Sequence, residues 1–115
     1  MIVGVAAIEI QIHGSSSLKE KRGVVQSICR RLRNRFDVAV AEVGGQGLWQ
    51  RALLGVATIG SDAKLVRSVL DRAVAFVEEL HLAEVAHSEV EIVRLPYEEA
   101  GGRDPEDGPW EGEPE

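Results

Sequence analysis

The sequence is poor in cysteine, and this shortage limits what the protein can be. Cys29 is the single cysteine among 115 residues, so no intramolecular disulfide can form, which favours a reducing compartment. His13, His81 and His87 lack the spacing of a metal-binding motif, and no pair of cysteines accompanies them. We therefore expect neither a bound metal nor another cofactor.

Long apolar runs are also missing. The amino-terminal segment, residues 1–14, is apolar but short, has no basic stretch, and alternates from Ile8 onward with Glu9 and Gln11. This pattern is that of a strand and argues against a signal peptide or a membrane anchor. We expect a cytoplasmic protein that makes no membrane contact.

Proline is scarce except in residues 98–115, which hold three of the four prolines, eight of the 19 acids and one of the 13 bases. Such a segment cannot bury enough apolar surface to offset the entropy of ordering, so we expect a disordered acidic tail. Residues 1–97 then form one domain with eleven acids and twelve bases, which is nearly neutral. The overall charge of −6 therefore does not exclude a nucleic-acid partner.

Hydrophobic periodicity predicts the element order β-α-β-β-α-β. The predicted strands are 2–12, 37–43, 51–59 and 84–95, with a helix from Leu18 to about Phe36 and a second helix capped by Ser61 or Asp62. The segment GGQG, residues 44–47, predicts a hairpin, and the strand after it is so apolar that we place it in mid-sheet. Two short βαβ halves of this kind favour a ferredoxin-like sandwich, a four-stranded antiparallel sheet with both helices on one face.

The stretch HGSSSLKEKR, residues 13–22, contains a helix start. Ser17 and Glu20 fit the capping-box pattern S-x-x-E, in which the serine oxygen accepts from a backbone N–H and the glutamate reaches back to the N–H of the cap. The cap accounts for Ser17 and Glu20 but leaves the neighbouring cations unexplained.

Residues 19–35 hold seven cations and one acid, Glu20. The helix macrodipole destabilises cations beside a helix N-terminus unless an anion binds nearby. A helix N-terminus is itself a suitable place for a phosphate. The alternative is a solvated basic face that pairs with Glu78, Glu79 or the tail. The candidate anion-binding or RNA-binding residues are Lys19, Lys21, Arg22, Arg30 and Arg33.

Two other groups of residues raise further possibilities. Apolar residues on both faces of the second and third strands suggest that a second subunit covers part of the sheet, with Ala39, Ala41, Val43 and Trp49 as candidate interface residues of a homodimer. His13 precedes three serines, but no third group is evident to orient a nucleophile and its base, so we assign no catalytic residue.

Three segments taken together, SLKEKR, RLRNRFDVAVAE and LWQRALLGVA, closely resemble the YlxP-like family of small bacterial proteins. The resemblance covers about residues 1–95 and implies a ferredoxin-like fold. Genes of this family commonly lie near those of translation initiation factor 2 and a ribosome-binding factor, which implies a link to translation or ribosome maturation. No catalytic residue is implied.

These observations support three hypotheses. The first is a non-enzymatic accessory protein that binds RNA or a ribosomal subunit through the first helix. The second is a small enzyme that acts on a phosphorylated substrate, by analogy with acylphosphatases, although their glycine-rich loop with arginine has no obvious counterpart here. The third is a dimeric regulatory domain that binds a ligand between its subunits.

Overall fold

The structure, a computed structural model, describes residues 1–96. Its elements are β1 (Ile2–Gln11), α1 (Leu18–Arg35), β2 (Ala39–Gly44), β3 (Arg51–Gly60), α2 (Ala63–Leu80) and β4 (Glu84–Arg94). The strands form one sheet in the order β2-β3-β1-β4, and every neighbouring pair is antiparallel. The predicted ferredoxin-like arrangement is confirmed, whereas the predicted disorder of residues 98–115 lies outside the described residues.

The two central strands supply most of the sheet's share of the core. Alternate residues of β1 point toward the helices and are buried, among them Ile2, Ile8 and Ile10. Ala52, Leu54 and Val56 do the same from β3, which lies between β2 and β1 as its apolar sequence predicted.

The helices cover one face of the sheet. Their buried faces repeat at helical spacing, with Val25, Ile28 and Leu32 in α1 and Val66, Leu70, Ala73 and Val77 in α2. Helix α1 packs beside β2, while α2 packs over β1, β3 and β4. No element within residues 1–96 covers the opposite face, which we call the open face. Neither helix described is long and apolar enough to cross a bilayer.

The start of α1 is more exposed than the rest of its apolar side. Leu18 lies on the same side of the helix as Val25, Ile28 and Leu32, a spacing that predicts a core position, yet it is 38% exposed. The first turn of α1 lies beside the β2–β3 hairpin, and Leu18 borders a shallow groove there with Lys21, Glu42 and Gln46. The hairpin covers this turn only in part. The helical spacing therefore predicts correctly which side of the helix Leu18 lies on, but it does not predict how exposed the side chain is.

The β2–β3 hairpin depends on a glycine. Gly45 has φ of +77°, and its carbonyl accepts from the N–H of Leu48 at 3.0 Å. An added Cβ at Gly45 would lie 3.1 Å from the carbonyl oxygen of Arg51, so the turn excludes larger residues by space as well as by backbone conformation. A register shift between Glu42 and Gly44 leaves Val43 as an extra residue in β2.

Candidate nucleic-acid interface

The N-terminal turn of α1 is a modified capping box. Ser17 caps the helix, and its hydroxyl oxygen accepts from the N–H of Glu20 at 3.1 Å, as predicted. The Glu20 carboxylate reaches one residue further back than predicted. Its Oε1 accepts from the backbone N–H of Ser16 at 2.8 Å and from the Ser16 hydroxyl at 3.0 Å, and these hydrogen bonds lower the pKa of Glu20.

Lys21 does not belong to the exposed cationic surface, which corrects its placement among the phosphate contacts. The residue is 1% exposed, and its Nζ lies 2.9 Å from Glu42 Oε2 and donates to the carbonyl of Gly45. This ammonium group is neutralised within the fold and joins the first turn of α1 to the hairpin. Its position on the buried side of the helix leaves it no access to an external phosphate.

The other candidate cations remain on the surface. Lys19, Arg22, Arg30 and Arg33 are all exposed and follow one face of α1 at steps of three, eight and three residues, with Gln26 in the middle of the longest step. None of them has a carboxylate within 4.0 Å in residues 1–96. At a rise of about 1.5 Å per residue, the row from Lys19 to Arg33 is about 21 Å long. We call these four residues the cationic face.

One member of the cationic face also has a structural contact. Arg33 donates from Nη2 to the carbonyl oxygen of Val40 at 2.9 Å, which fixes the end of α1 to β2. The carbonyl is neutral and accepts only one hydrogen bond from the guanidinium. The guanidinium therefore keeps its positive charge, and its other N–H groups are available to a second acceptor.

Charge is unevenly distributed between the two sides of the molecule. Helix α1 carries seven cations and one carboxylate, and it lies beside β2 at one edge of the sheet. Strand β4, at the other edge, carries three glutamates and one arginine. A polyanion approaching the protein would therefore be attracted toward α1.

The structure adds a cluster that sequence analysis missed. Phe36 and Phe76 meet edge to face with ring centroids 5.5 Å apart. The Arg35 guanidinium lies 5.8 Å and 5.6 Å from their respective centroids, and that of Arg72 lies 6.0 Å from the Phe36 centroid. The cluster extends the basic surface onto α2. No local pattern could have revealed it, because Phe36 and Phe76 are forty residues apart in sequence.

The possible nucleophile and base do not come together. His13 Nε2 lies 2.6 Å from Oε1 of Glu84. The three serine hydroxyls form local hydrogen bonds around the start of α1. Cys29 is buried, and burial raises the pKa of its thiol, which disfavours the reactive thiolate. Within residues 1–96, no cluster of His, Cys, Asp and Glu residues could hold a metal ion.

The candidate interface residues lie on the open face and in the β2–β3 hairpin at one end of it. Ala39, Ala41 and Val43 are exposed, and the Val43 side chain lies over Gly55 of the neighbouring strand. Trp49 follows the hairpin and is 50% exposed, next to Gln11 and Arg51.

The fold and the basic helix define the class of protein: it is a small α+β protein of the ferredoxin-like type that presents a cationic helix. Residues 3–90 match the family described as "Protein of unknown function (DUF503)", and the chain belongs to this family.

Two individual proteins are similar to this chain to very different degrees. The chain is 38% identical over 77 residues to the uncharacterized protein YlxP of Bacillus subtilis (strain 168), which covers 67% of this chain and 84% of the relative. A variant of SnoaB, described as a cofactor-independent oxygenase from Streptomyces nogalater, aligns with a TM-score of 0.45 and 11% identity, over 84% of this chain and 95% of that one. That similarity is too weak to bear on function.

Proposed function

We propose that this protein is a non-enzymatic cytoplasmic accessory protein that binds RNA, within a ribosomal particle, through the cationic face of α1. One observation carries the proposal: Lys19, Arg22, Arg30 and Arg33 share an exposed helix face and have no carboxylate partner in residues 1–96.

The chemistry of this face suits phosphates. Lys19 and Arg22 lie in the first turns of α1, where the macrodipole already disfavours positive charge. A phosphate placed there would neutralise both side chains and interact favourably with the helix terminus. Arg30 and Arg33, further along the same face, provide planar guanidinium donors for a second part of the backbone.

Phosphate contacts of this kind provide affinity and orientation but little sequence selectivity. The cationic face is the convex surface of one helix, a shape that suits contacts with a phosphate backbone more than contacts with base edges. A structured RNA within a larger particle fits such a surface, since shape and additional contacts would then supply the selectivity. The link to translation that the family resemblance implies favours a ribosomal particle as the source of this RNA.

Co-sedimentation with ribosomal subunits tests this proposal. We expect the wild-type chain to pellet with a subunit at low salt and to be released as salt rises, because exposed charge contacts are screened. The Lys19→Glu, Arg22→Glu double variant should remain in the supernatant.

The chain offers a matched control on its other helix. Lys64 and Arg67 have the same residue types, the same spacing and the same position near a helix start, and both are exposed. The Lys64→Glu, Arg67→Glu variant makes the same change in net charge and should still pellet. Equal release of both variants, or a wild-type chain that never pellets, would refute a specific role for the cationic face.

A further inference from the structure

The cationic face of α1 is interrupted at its centre. Arg22 and Arg30 are eight residues apart, about 12 Å along the helix, and Gln26 lies halfway between them. A groove between α1 and the β2–β3 hairpin opens beside this interruption, and Arg22 and Gln26, both exposed, line it on the helix side. We call it the hairpin groove. A phosphate backbone that follows the cationic face therefore passes the mouth of this groove.

One wall of the hairpin groove is apolar. Leu18 and Val25 line it from α1, each about one turn from Lys21. Leu18 is 38% exposed although it lies on the apolar side of the helix, so this side chain is available to a ligand. The groove has a volume of about 290 Å³, close to the lower end of the range for small-ligand pockets, roughly 300 Å³. An aliphatic wall in a groove of this size suits the flat face of a single nucleobase.

The opposite wall is polar. Glu42 and Gln46 line it from the hairpin, and Nε2 of Gln46 donates to the backbone carbonyl of Glu42 at 3.5 Å, which keeps the amide beside Glu42. Oε2 of Glu42 is buried and lies 2.9 Å from Nζ of Lys21, so Oε1 is the carboxylate oxygen that a ligand can reach. This oxygen accepts hydrogen bonds and donates none. Because Lys21 already balances the charge of Glu42, a neutral N–H donor matches the wall better than a further cation does.

We propose that the hairpin groove binds one base of the RNA, and that Glu42 selects a base with an exocyclic amino group. The inference rests on the proposed function and adds selectivity to it. Cytosine, adenine and guanine each present an amino donor, and acceptance from N4 of cytosine by a carboxylate is a regular form of base recognition. Uracil has a carbonyl oxygen where cytosine has its amino group, so two acceptors would face each other.

The groove also restricts the form of the RNA. A base can enter it only when that base is unpaired and unstacked, so the RNA must be single-stranded at this point. Arg22 lies on both the cationic face and the groove, where its guanidinium can hold a phosphate while the base is in place. Backbone contacts along α1 then provide affinity, and the groove provides a preference among bases.

Binding of two pyrimidine oligonucleotides tests the proposal. Oligocytidine and oligouridine of equal length carry the same charge and differ on the base edge, so phosphate contacts contribute equally to both. We expect the full-length wild-type chain to bind oligocytidine about tenfold more tightly, the effect of one hydrogen bond to a charged group. The slope of log K against log salt should be the same for both, since the preference involves no additional phosphate contact.

A charge-neutral double variant tests the role of Glu42. Lys21→Met combined with Glu42→Met removes the acceptor, keeps the net charge and leaves no unpaired charge in the fold. This variant should bind the two oligonucleotides equally, with the wild-type affinity for oligouridine. Arg51→Met combined with Glu9→Met is the matched control, because it removes an ion pair between β1 and β3 outside the groove, and it should keep the tenfold preference.

Leu18→Ala is a second variant, which keeps the ion pair. Leu18 is exposed enough to be replaced without loss of the fold. The variant should weaken the binding of oligocytidine more than that of oligouridine, because the bound base loses an apolar contact, and the salt slope should not change. Equal losses for the two oligonucleotides would contradict the assignment of Leu18 to the base site.

The outcomes separate this inference from the proposed function. Equal wild-type affinity for the two oligonucleotides, with a salt slope that the Lys19→Glu, Arg22→Glu variant lowers, would overturn the base site and leave the proposed function intact. A tenfold preference that persists in a folded Lys21→Met, Glu42→Met variant would also overturn the base site, since the preference would then arise elsewhere in the chain. Failure to bind either oligonucleotide at low salt would refute the proposed function and this inference with it.

Discussion

Replacing Lys21 with methionine should lower the free energy of unfolding by about 3 kcal/mol. The side chain of Lys21 is 2% exposed, and Glu42, its partner at 2.9 Å, is 21% exposed. Oε2 of Glu42 is buried, and the Lys21 ammonium is its sole polar contact among residues 1–96, an ion pair without hydrogen-bond geometry. Methionine would fill a similar volume but leave this carboxylate uncompensated, and the carbonyl of Gly45 would lose one of its two donors.

The control for this prediction is the exposed ion pair of Arg51 and Glu9. Arg51 and Glu9 side chains are 55% and 32% exposed and lie 3.2 Å apart. Arg51→Met should cost less than about 1 kcal/mol, because water replaces the lost partner. Combining Lys21→Met with Glu42→Met should recover most of the loss, since removing both charges is far cheaper than removing one. Urea unfolding measures all four proteins, and similar losses in the two single variants would contradict the structural role of Lys21.

Gly4→Ala should destabilise the protein by about 2 kcal/mol through overpacking. A Cβ at Gly4 would lie 2.5 Å from Cγ1 of Val66 and 2.6 Å from Cδ1 of Leu70. Both neighbours are buried, and a β-branched valine in a helix has little rotamer freedom with which to move away. Helix α2 would therefore have to shift from β1, which loosens the core at its centre.

Gly23→Ala provides a control of opposite sign. Gly23 lies inside α1, and an added Cβ there would meet nothing within 4 Å. Alanine should therefore raise the free energy of unfolding by about 0.5–1 kcal/mol, because it restricts the unfolded chain and favours the helix. Thermal or urea unfolding measures the free energy of unfolding of both variants. A Gly4→Ala variant that proved as stable as the wild-type chain, or more stable, would contradict this packing.

Periodicity was sufficient to predict the fold because each element repeats its own pattern. The alternation of Ile8 and Ile10 with Glu9, and the helical spacing of Val25, Ile28 and Leu32, each indicate a buried side without any long-range information. The apolar sequence of β3 predicted its central place for the same reason. These patterns are local. Once the elements are known, the rules for connections between strands and helices leave only a few possible strand orders.

The candidate site was harder to predict because its electrostatics depend on distant residues. Lys21 has the same charge as Lys19 and Arg22, and its removal from the surface depends on Glu42, which lies twenty-one residues later on another element. The contacts among Arg35, Phe36, Phe76 and Arg72 likewise cross from α1 to α2. A helical pattern indicates which side of the helix faces inward. It does not indicate whether a cation on that side forms an ion pair with a carboxylate of another element.

The most direct test of the proposed function is the salt dependence of binding to a short single-stranded RNA. Each phosphate contact contributes about −0.7 to the slope of log K against log salt, so four contacts predict a slope of about −2.8. The Lys19→Glu, Arg22→Glu variant, with Arg30 and Arg33 remaining, should show a slope of about −1.4 and weaker binding at low salt. The Lys64→Glu, Arg67→Glu variant should keep the wild-type slope. The same slope in the wild-type chain and the Lys19→Glu, Arg22→Glu variant would show that the cationic face of α1 does not bind RNA.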